Sequence, residues 1–512
     1  MVIHDHGCRF MHAHIQTVAF RGIDTIAVDV QVHIANGLPA MAIVGLADKS
    51  VAESKERVRA ALSSIGLSLP PKRIAINLAP ADVLKEGAHF DLPIALGLLV
   101  AMGVIPADAV ADRVVLGELS LNGAIQPVSG ALSAAIFASS RQQNLICPAA
   151  SGAEAAWAGD IDILAPTDIL ALLNHVRGRQ ILHPPTPKIA TSQTQHPDMA
   201  DLRGQLTARR VLEIAATGGH NLLLIGPPGA GKSMLAARLP GLLPPLTPEQ
   251  ALQVTMIHSI AGQLSDGGLI RDRPFREPHH SASMAALVGG GMRAKPGEIS
   301  LAHHGVLFLD ELAEFSRVVL DSLRQPLETG KVVVARANNN YTYPAAFQLI
   351  AAMNPCRCGY LGDPARACSR APACGRQYSA KVSGPVMDRF DLIIEVPEVT
   401  PQMLMADEAA ERSAVIFDRI MAARSVAMGR SCQADGTLNA KLTGDDLDAA
   451  IVLEDAAKTL LKAALEQQQL SARAYHKIMR VARTIADLDN RPEVTREHLA
   501  EALAYRAMPL FA

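Results

Sequence analysis

The chain reads as a multidomain α/β protein ending in an all-helical region, and three features along its length predict this. Residues 183–202 (HPPTPKIATSQTQHPDMADL) are rich in Pro, Thr, Ser and Gln, carry no apolar period and read as a linker. On both sides of it, β-prone runs alternate with helical patterns around Gly-rich turns. After residue 400 the strand signals stop. The expected boundaries are an α/β N-terminal domain over 1–182, the linker over 183–202, a parallel α/β core over 203–400 and a helical domain over 401–512. At 512 residues the chain is too long for one ordinary core.

In the N-terminal domain, TIAVDVQVHI (25–34) and RIAINLAP (73–80) read as strands. Between them, residues 48–66 are apolar at Val51, Val58, Ala61, Leu62 and Ile65, a helical spacing closed by Gly66. The longest apolar run, LPIALGLLVAMGVIP (92–106), is too short and too broken by Pro and Gly to span a bilayer and reads as a buried helix. Past 400, residues 406–427, 444–468, 471–489 and 495–506 all read as helices, the last capped by Thr495.

Composition narrows the class. Apolar residues make up 49% and charged residues 19%, which is globular, and a net charge of −2 excludes a global basic field. The N-terminal MVIHDHGCRFMHAH lacks the basic and apolar regions of a secretory signal. Seven unevenly clustered cysteines argue against a secreted disulfide framework. A cytoplasmic protein with no membrane segment is expected.

The strongest chemical signal is NLLLIGPPGAGKSML (221–235), which fits G-x-x-x-x-G-K-[ST] between an apolar strand and a helix. Gly226, Pro227, Pro228, Gly229, Ala230 and Gly231 would form a loop whose backbone N–H groups approach phosphate oxygens. Lys232 would reach the β/γ-phosphates of ATP and Ser233 would ligate Mg²⁺. Further on, HGVLFLDELAEF (304–315) ends an apolar run in Asp310 and Glu311, one suited to Mg²⁺ and the other to activating water.

These motifs, with AAMNP (351–355), SGPVMDRFDL (383–392) and SARAYHKIMRVARTIADL (471–488), resemble the magnesium-chelatase-like AAA+ ATPases and, more narrowly, the bacterial ComM/YifB group. The strings GLPAMAIVGLADKSVAESKERVRAAL, INLAPADVLKEG, RPFREPHHSAS and PGEISLAHHGVLFLDEL extend the likeness over most of the chain, and it is satisfied from Met11 as well as from Met1. The resemblance implies that Asn354 is sensor 1, that Arg389 is an arginine finger entering a neighbouring subunit's ATP site, and that Arg473 is sensor 2 on a helical lid. A guanidinium suits the last two roles because it stays charged and binds phosphoryl oxygens bidentately. A finger supplied in trans implies a ring, and the resemblance implies that the ring is a homo-hexamer.

The resemblance also implies a Lon-protease-like N-terminal domain, related to ribosomal protein S5 domain 2. His89 stands near the place of that protease's serine, and 128–138 contains no lysine. The acyl-transfer pair is therefore missing and proteolytic inactivity is expected.

Between the Asp310–Glu311 motif and sensor 1, KVVVARA (331–337) and YTYPAAF (341–347) around NNN read as a hairpin, with Lys331, Arg336 and Tyr341 suited to phosphate contact and base stacking and an ordinary exposed hairpin as the alternative. The loop 271–283 adds Arg271, Arg273, Arg276, His279 and His280, with the adjacent histidines read as positioning or DNA-contacting residues. The function implied is an ATP-driven motor on single-stranded or branched DNA, a helicase promoting branch migration as transforming DNA is integrated. A chelatase- or chaperone-like remodeller that does not act on DNA is the alternative.

Cys356, Cys358, Cys368 and Cys374 fall within the expected core as C-x-C-x₉-C-x₅-C. A structural Cys₄ zinc site would staple this long loop, with free thiols as the alternative because the spacing departs from C-x₂-C pairs. Catalytic zinc is disfavoured, since four thiolates leave no open coordination position.

Overall fold

Two-fold alternation of buried and exposed residues builds a long antiparallel hairpin from β1 (Met11–Arg21) and β2 (Asp24–Ala35), in register from Met11↔Ile34 to Arg21↔Asp24. With β3 (Ala40–Val44), β4 (Arg73–Ala79), β5 (Arg113–Val115), β8 (Asn144–Ile146) and β9 (Ile163–Leu164) it forms a seven-stranded mixed sheet ordered β3-β4-β2-β1-β5-β8-β9. A small ribbon, β6 (Glu118–Leu119) with β7 (Ile125–Gln126), stands apart.

In this computed structural model, residues 11–506 are described except 192–195, 265–266, 292–293, 337–338, 362–365, 367, 401, 403–410 and 431–436. Most of the expected signal-free N-terminal segment, residues 1–10, therefore lies outside the described residues, as do parts of the linker and of the expected 406–427 helix.

The helix Lys49–Ser64 buries Val51, Val58, Ala61 and Leu62, as its spacing predicts, and Asp48 caps it by accepting from Val51 N–H at 2.7 Å. The helix Asp91–Ala101, from the longest apolar run, lies on the hairpin so closely that a Cβ at Gly97 would stand 2.6 Å from Val32 Cγ2. No helix among the described residues is long and apolar enough to cross a membrane.

The core sheet is parallel throughout. It contains β10 (Leu222–Ile225), β11 (Phe275–Arg276), β14 (Val306–Leu309), β17 (Gln348–Met353) and β18 (Leu392–Glu395), in the order β11-β14-β17-β10-β18. Every residue of β10, β14 and β17 is buried, so alternate side chains fill two cores. Leu222 and Leu224 join the cluster under the helices Leu206–Gly218 and Ala472–Leu488, while Leu223 and Ile225 join the other face. That second face is covered partly by a ribbon, β12 (Gly289–Gly290) with β13 (Lys295–Pro296), and by the hairpin β15 (Lys331–Arg336) and β16 (Asn339–Pro344).

The C-terminal region is helical over Ser413–Arg430, Gly444–Ala450, Asp455–Gln468, Ala472–Leu488 and Arg496–Ala504. The expected single helix over 444–468 is two, because Leu453 leaves the helix to bridge Val494. Thr495 and His498 close the predicted cap as a capping box.

The N-terminal sheet domain and the core touch directly. The Gly130 N–H donates to Ser259 Oγ at 2.9 Å, and Ser259 Oγ donates to the buried Glu154 at 2.5 Å. The linker is drawn into this seam, with Ile189 bridging Leu269 and Met199 fully buried in the core.

Candidate functional site: a P-loop cavity beside two carboxylates

Strand β10 ends against β17 and β18, and the chain must turn tightly there. A Cβ at Gly226 would stand 2.2 Å from Val396 O, so only glycine fits. Gly229 (φ +80°) and Gly231 (φ +83°) take left-handed backbone in open space, where conformation rather than room requires glycine. The turn delivers Lys232 to the start of a short helix, Lys232–Ala236.

Lys232 is only 8% exposed, and its Nζ donates to Gly226 O (2.8 Å), Pro227 O (2.9 Å) and Asn354 Oδ1 (3.1 Å). Burial lowers its proton affinity, while Asp310 and Glu311 pull it back up. Ser233 Oγ donates to Asp310 Oδ2 at 2.7 Å, and Asp310 Oδ1 accepts the Glu311 N–H at 2.8 Å. Together with Pro228, Gly229, Gly231, Met234 and Met353, the groups Lys232, Ser233, Asp310, Glu311 and Asn354 line a cavity of about 320 Å³.

Glu311 holds φ +52°, a region that non-glycine residues seldom occupy and that active sites use to aim a side chain. Its Oε2 lies 3.4 Å from His280 Nδ1. That contact follows from strand register. β11 pairs with β14 at Phe275↔Val306 and Arg276↔Leu307, and Arg276 is clamped to Glu298 by two bonds of 2.6 and 2.8 Å. The loop after β11 thus emerges beside the loop after β14. His279 bonds Ser281 at 2.8 Å within that loop, so of the adjacent histidines it is His280 that reaches the carboxylate.

Three family models match in succession: "Subunit ChlI of Mg-chelatase" over residues 30–151, "Magnesium chelatase, subunit ChlI" over 198–404 and "Magnesium chelatase, subunit ChlI C-terminal" over 410–506. The chain is 43% identical to YifB of Escherichia coli strain K12 over 96% of its length and 97% of that protein. It is 42% identical to competence protein ComM of Haemophilus influenzae, over 96% of each. The 38 kDa magnesium-chelatase subunit of Acidiphilium rubrum is more distant, 25% identical over 42% of this chain and 55% of its own. The chain belongs to the magnesium-chelatase-like AAA+ family, in its ComM/YifB branch.

Membership in that family implies use of ATP and Mg²⁺. The residues present fit both, since Ser233 and Asp310 converge as hard oxygen donors and the glycine turn leaves backbone N–H groups open to phosphate.

The arginines that the ComM/YifB resemblance singled out lie away from this cavity. Arg389 is ion-paired to Glu328, its Nε is buried without a partner, and it stands close enough to Arg473 and Arg324 to feel their charge. Burial first, and then these two cations, lower its proton affinity. Arg473 is exposed at the start of the Ala472–Leu488 helix. Its neighbours Arg480 and Arg483 have structural partners, the Leu442 carbonyl (2.7 Å) and Asp487 (3.0 Å). Lys477, from the same helix, donates to the Asp388 and Phe390 carbonyls and so ties the helix to the loop carrying Arg389. Sequence reasoning missed Arg324 and Glu328, which carry no motif of their own.

One hairpin candidate is corrected. Tyr341 is 6% exposed and faces inward with Tyr343, opposite Val334 and Val332. Strand alternation sends Asn340 and Thr342 outward instead, so Tyr341 presents no face for stacking a base. Lys331 is exposed, and the Arg336 side chain lies outside the described residues. In the N-terminal domain His89 is 7% exposed, bonded to Val18 O at 2.9 Å and packed between Phe20 and Phe90.

The cysteine loop lies on the P-loop, since a Cβ at Gly359 would stand 2.4 Å from Pro228 Cδ. Its sulfurs form two pairs, Cys356–Cys358 at 3.0 Å and Cys368–Cys374 at 3.3 Å. A hydrogen bond from Cys356 brings the Cys358 thiol down to about 7, and one with Cys368 pushes Cys374 up to about 11. Among the described residues no group of three or more His, Cys, Asp or Glu is arranged to hold a metal ion. Two sulfurs sharing a tetrahedral zinc would stand about 3.8 Å apart, wider than either pair.

Proposed function

We propose that this chain is the subunit of a cytoplasmic homo-hexameric ATPase ring that moves on single-stranded or branched DNA, a helicase promoting branch migration as transforming DNA is integrated. The observation that carries the ATPase half is the convergence of Lys232, Ser233, Asp310 and Asn354 on one cavity, with Glu311 turned into it. In this reading Lys232 holds the β/γ-phosphates, Ser233 and Asp310 hold Mg²⁺, and Glu311, with Asn354, orients the attacking water. When bound, Mg²⁺ neutralises charge developing on the transferred phosphoryl group.

The ring rests on the family, whose members oligomerise, and on the arginine finger that the resemblance assigns to Arg389. Arg389 lies close enough to Arg473 and Arg324 to feel their charge, none of the three lines the cavity, and such a group of guanidiniums suits a neighbour's γ-phosphate. In the single subunit Glu328 occupies Arg389, and assembly exchanges that carboxylate for phosphate.

The DNA half rests on the family and on the competence protein named in Haemophilus influenzae. The likeness to a magnesium-chelatase subunit favours the second reading, a remodeller of another protein or of a metal–porphyrin complex. ATPase assays separate the two. Stimulation by single-stranded or junction DNA, with migration of a synthetic four-way junction that Lys232→Ala abolishes, supports the motor. Unstimulated hydrolysis with no DNA binding at low salt refutes it.

Structural zinc on the cysteine loop belongs to the same proposal. The pairs face each other closely enough for Cys358 to feel Cys368 and Cys374 to feel Cys356, and opening each by less than about 1 Å would complete a Cys₄ set. One zinc per chain in purified protein supports this, and metal-free protein with full activity excludes it.

A further inference from the structure

The N-terminal sheet domain and the core share a second cavity, of about 220 Å³, that has no part in the P-loop chemistry. Phe20, His89 and Glu118 line it from the N-terminal domain, and Lys295, Tyr341 and Tyr343 from the core. Its two sides are pressed together where the turn between β1 and β2 meets β16, since a Cβ at Gly22 would stand 2.7 Å from Thr342 O.

Two polar atoms of this lining belong to buried side chains and lack a partner. His89 Nε2 stands 2.9 Å from the Val18 carbonyl, which can only accept, so the ring proton sits on Nε2. Nδ1 is then a lone-pair acceptor, and among the described residues nothing donates to it. Gly87 keeps the space before it open, because it holds φ +100° and a Cβ there would stand 3.3 Å from His89 Nδ1. Burial lowers the proton affinity of the imidazole, so the acceptor persists at neutral pH. The Tyr341 hydroxyl likewise has no partner among the described residues, whereas that of Tyr343 donates to Ala294 O at 2.7 Å. Polar groups so deeply buried are costly when left unpaired, and both face a space that a ligand can fill.

The charge of the lining says which ligand. Glu86 and Glu118 bring two carboxylates, against the single ammonium of Lys295, whose Nζ donates to the Ala261 carbonyl at 3.2 Å. Among the described residues the Glu118 carboxylate makes no hydrogen bond, and Arg57, which feels its charge, is committed to Asp91 by bonds of 2.6 and 3.0 Å. Acceptors and negative charge thus dominate, which suits a cationic donor. That donor is not a metal ion, since among the described residues no group of three or more His, Cys, Asp or Glu is arranged to hold one. Phe20, Leu84 and Ile260 supply an apolar wall. A cavity of about 150 Å³ accommodates benzene, so this one has room for such a ring with a short arm.

We propose that the cavity lined by His89, Glu118 and Tyr341 binds a small primary amine in its ammonium form, with an apolar body against Phe20. The three N–H donors of an ammonium match a ring nitrogen, a phenolic oxygen and a carboxylate. The amine is either a simple one or that of a free amino acid, whose carboxylate Lys295 would meet. The inference stands on this cavity alone and does not depend on the ATPase or on the DNA motor.

The test titrates phenethylamine into the full chain by calorimetry at low ionic strength, where it should bind saturably. Glu118→Gln, which keeps the shape and removes the charge, should weaken binding by about tenfold or more. Tyr341→Phe, which removes only the unpartnered hydroxyl, should weaken it by about threefold. Neither change breaks a bond within the protein, so both variants should keep the parent's far-UV spectrum and ligand-free melting temperature, which separates lost binding from lost fold. Phenylpropionate, with a similar body and the opposite charge, should not bind. Phenylalanine identifies the source of the amine. Tighter binding than phenethylamine, with the gain abolished by Lys295→Gln, assigns the site to an amino acid, and binding no tighter assigns it to a simple amine. No saturable binding of either amine at millimolar concentration, binding that neither Glu118→Gln nor Tyr341→Phe weakens, or phenylpropionate bound as well as phenethylamine would each overturn the proposal.

Discussion

Lys85 in the N-terminal sheet domain and Lys232 in the P-loop are both withdrawn from solvent, 0% and 8% exposed, and burial lowers the proton affinity of each. Both donate Nζ to backbone carbonyls, Lys85 to Pro80 and Lys232 to Gly226 and Pro227. The difference is what converges around them. Lys232 also reaches Asn354 and opens, with Ser233, Asp310 and Glu311, onto a cavity of about 320 Å³. Among the described residues Lys85 lines no such set. Four residues on, His89 packs against Phe20 and Phe90, bonds a carbonyl and lines a separate cavity of about 220 Å³ that lacks the P-loop and the paired Asp310 and Glu311. A perturbed lysine is thus no site by itself, and a glycine turn feeding a helix has chemistry only where its side chains converge.

The comparison is broken most directly by exchanging the lysines' fates. Lys232→Ala should lower ATP turnover by at least about 1,000-fold, because a charge-assisted phosphate contact and its electrostatic stabilisation go together. Lys85→Met should leave turnover within about twofold while changing the melting temperature. A folded Lys85→Met protein with turnover as low as Lys232→Ala would overturn the contrast. Next in size is Arg389→Ala, expected to cost about 100-fold or more in turnover while nucleotide affinity stays within a few-fold. Equal loss of binding and turnover would place Arg389 in its own subunit's site.

The hairpin sharpens the same point on a smaller scale. Tyr341→Ala removes a buried ring packed across from Val334 and should cost about 3 kcal/mol of stability by chemical denaturation. Lys331→Ala should leave stability alone and, in the proposed motor, reduce the salt slope of DNA binding by about one. A stable Tyr341→Ala protein that has lost DNA binding would restore the stacking role that its burial removes.

How much was legible follows from locality. The P-loop and the Asp310–Glu311 pair are each contiguous, so strand, glycine turn and side chains can be read without knowing the fold. The inward face of the hairpin was legible too, since Val332, Val334, Tyr341 and Tyr343 share one face by strict alternation, yet Tyr341 was read by chemical type instead. The His280–Glu311 contact was hidden because it needs the register of β11 on β14. The break between the helices 444–450 and 455–468 needs the bridge from Leu453 to Val494, a tertiary contact that overrides local propensity. The cavity of His89, Glu118, Lys295 and Tyr341 draws on four separate segments, and no spacing in the sequence brings them together.

Two histidines just before β14, His303 and His304, give the contrast its pH signature. Burial first, and then neighbouring basic groups, bring His303 down to about 3 and His304 down to about 4, from an ordinary 6.5. His304 answers to Arg273 and Lys441, and His303 to His304 and Lys441. Because both imidazoles bind protons more weakly folded than unfolded, the unfolded chain takes up protons first as the pH falls below about 6.5. The stability they hold is complete above that pH and is lost progressively toward pH 4, at up to about 1.4 kcal/mol per pH unit for each ring. His304→Gln removes one of these titrations, and the slope of unfolding free energy between pH 6 and 4.5 should flatten accordingly. Lys232 lies at the opposite edge of the sheet, so Lys232→Ala should leave that slope as in the unmodified chain. An equal slope in His304→Gln and the parent would mean that the imidazole already has solvent to take its charge.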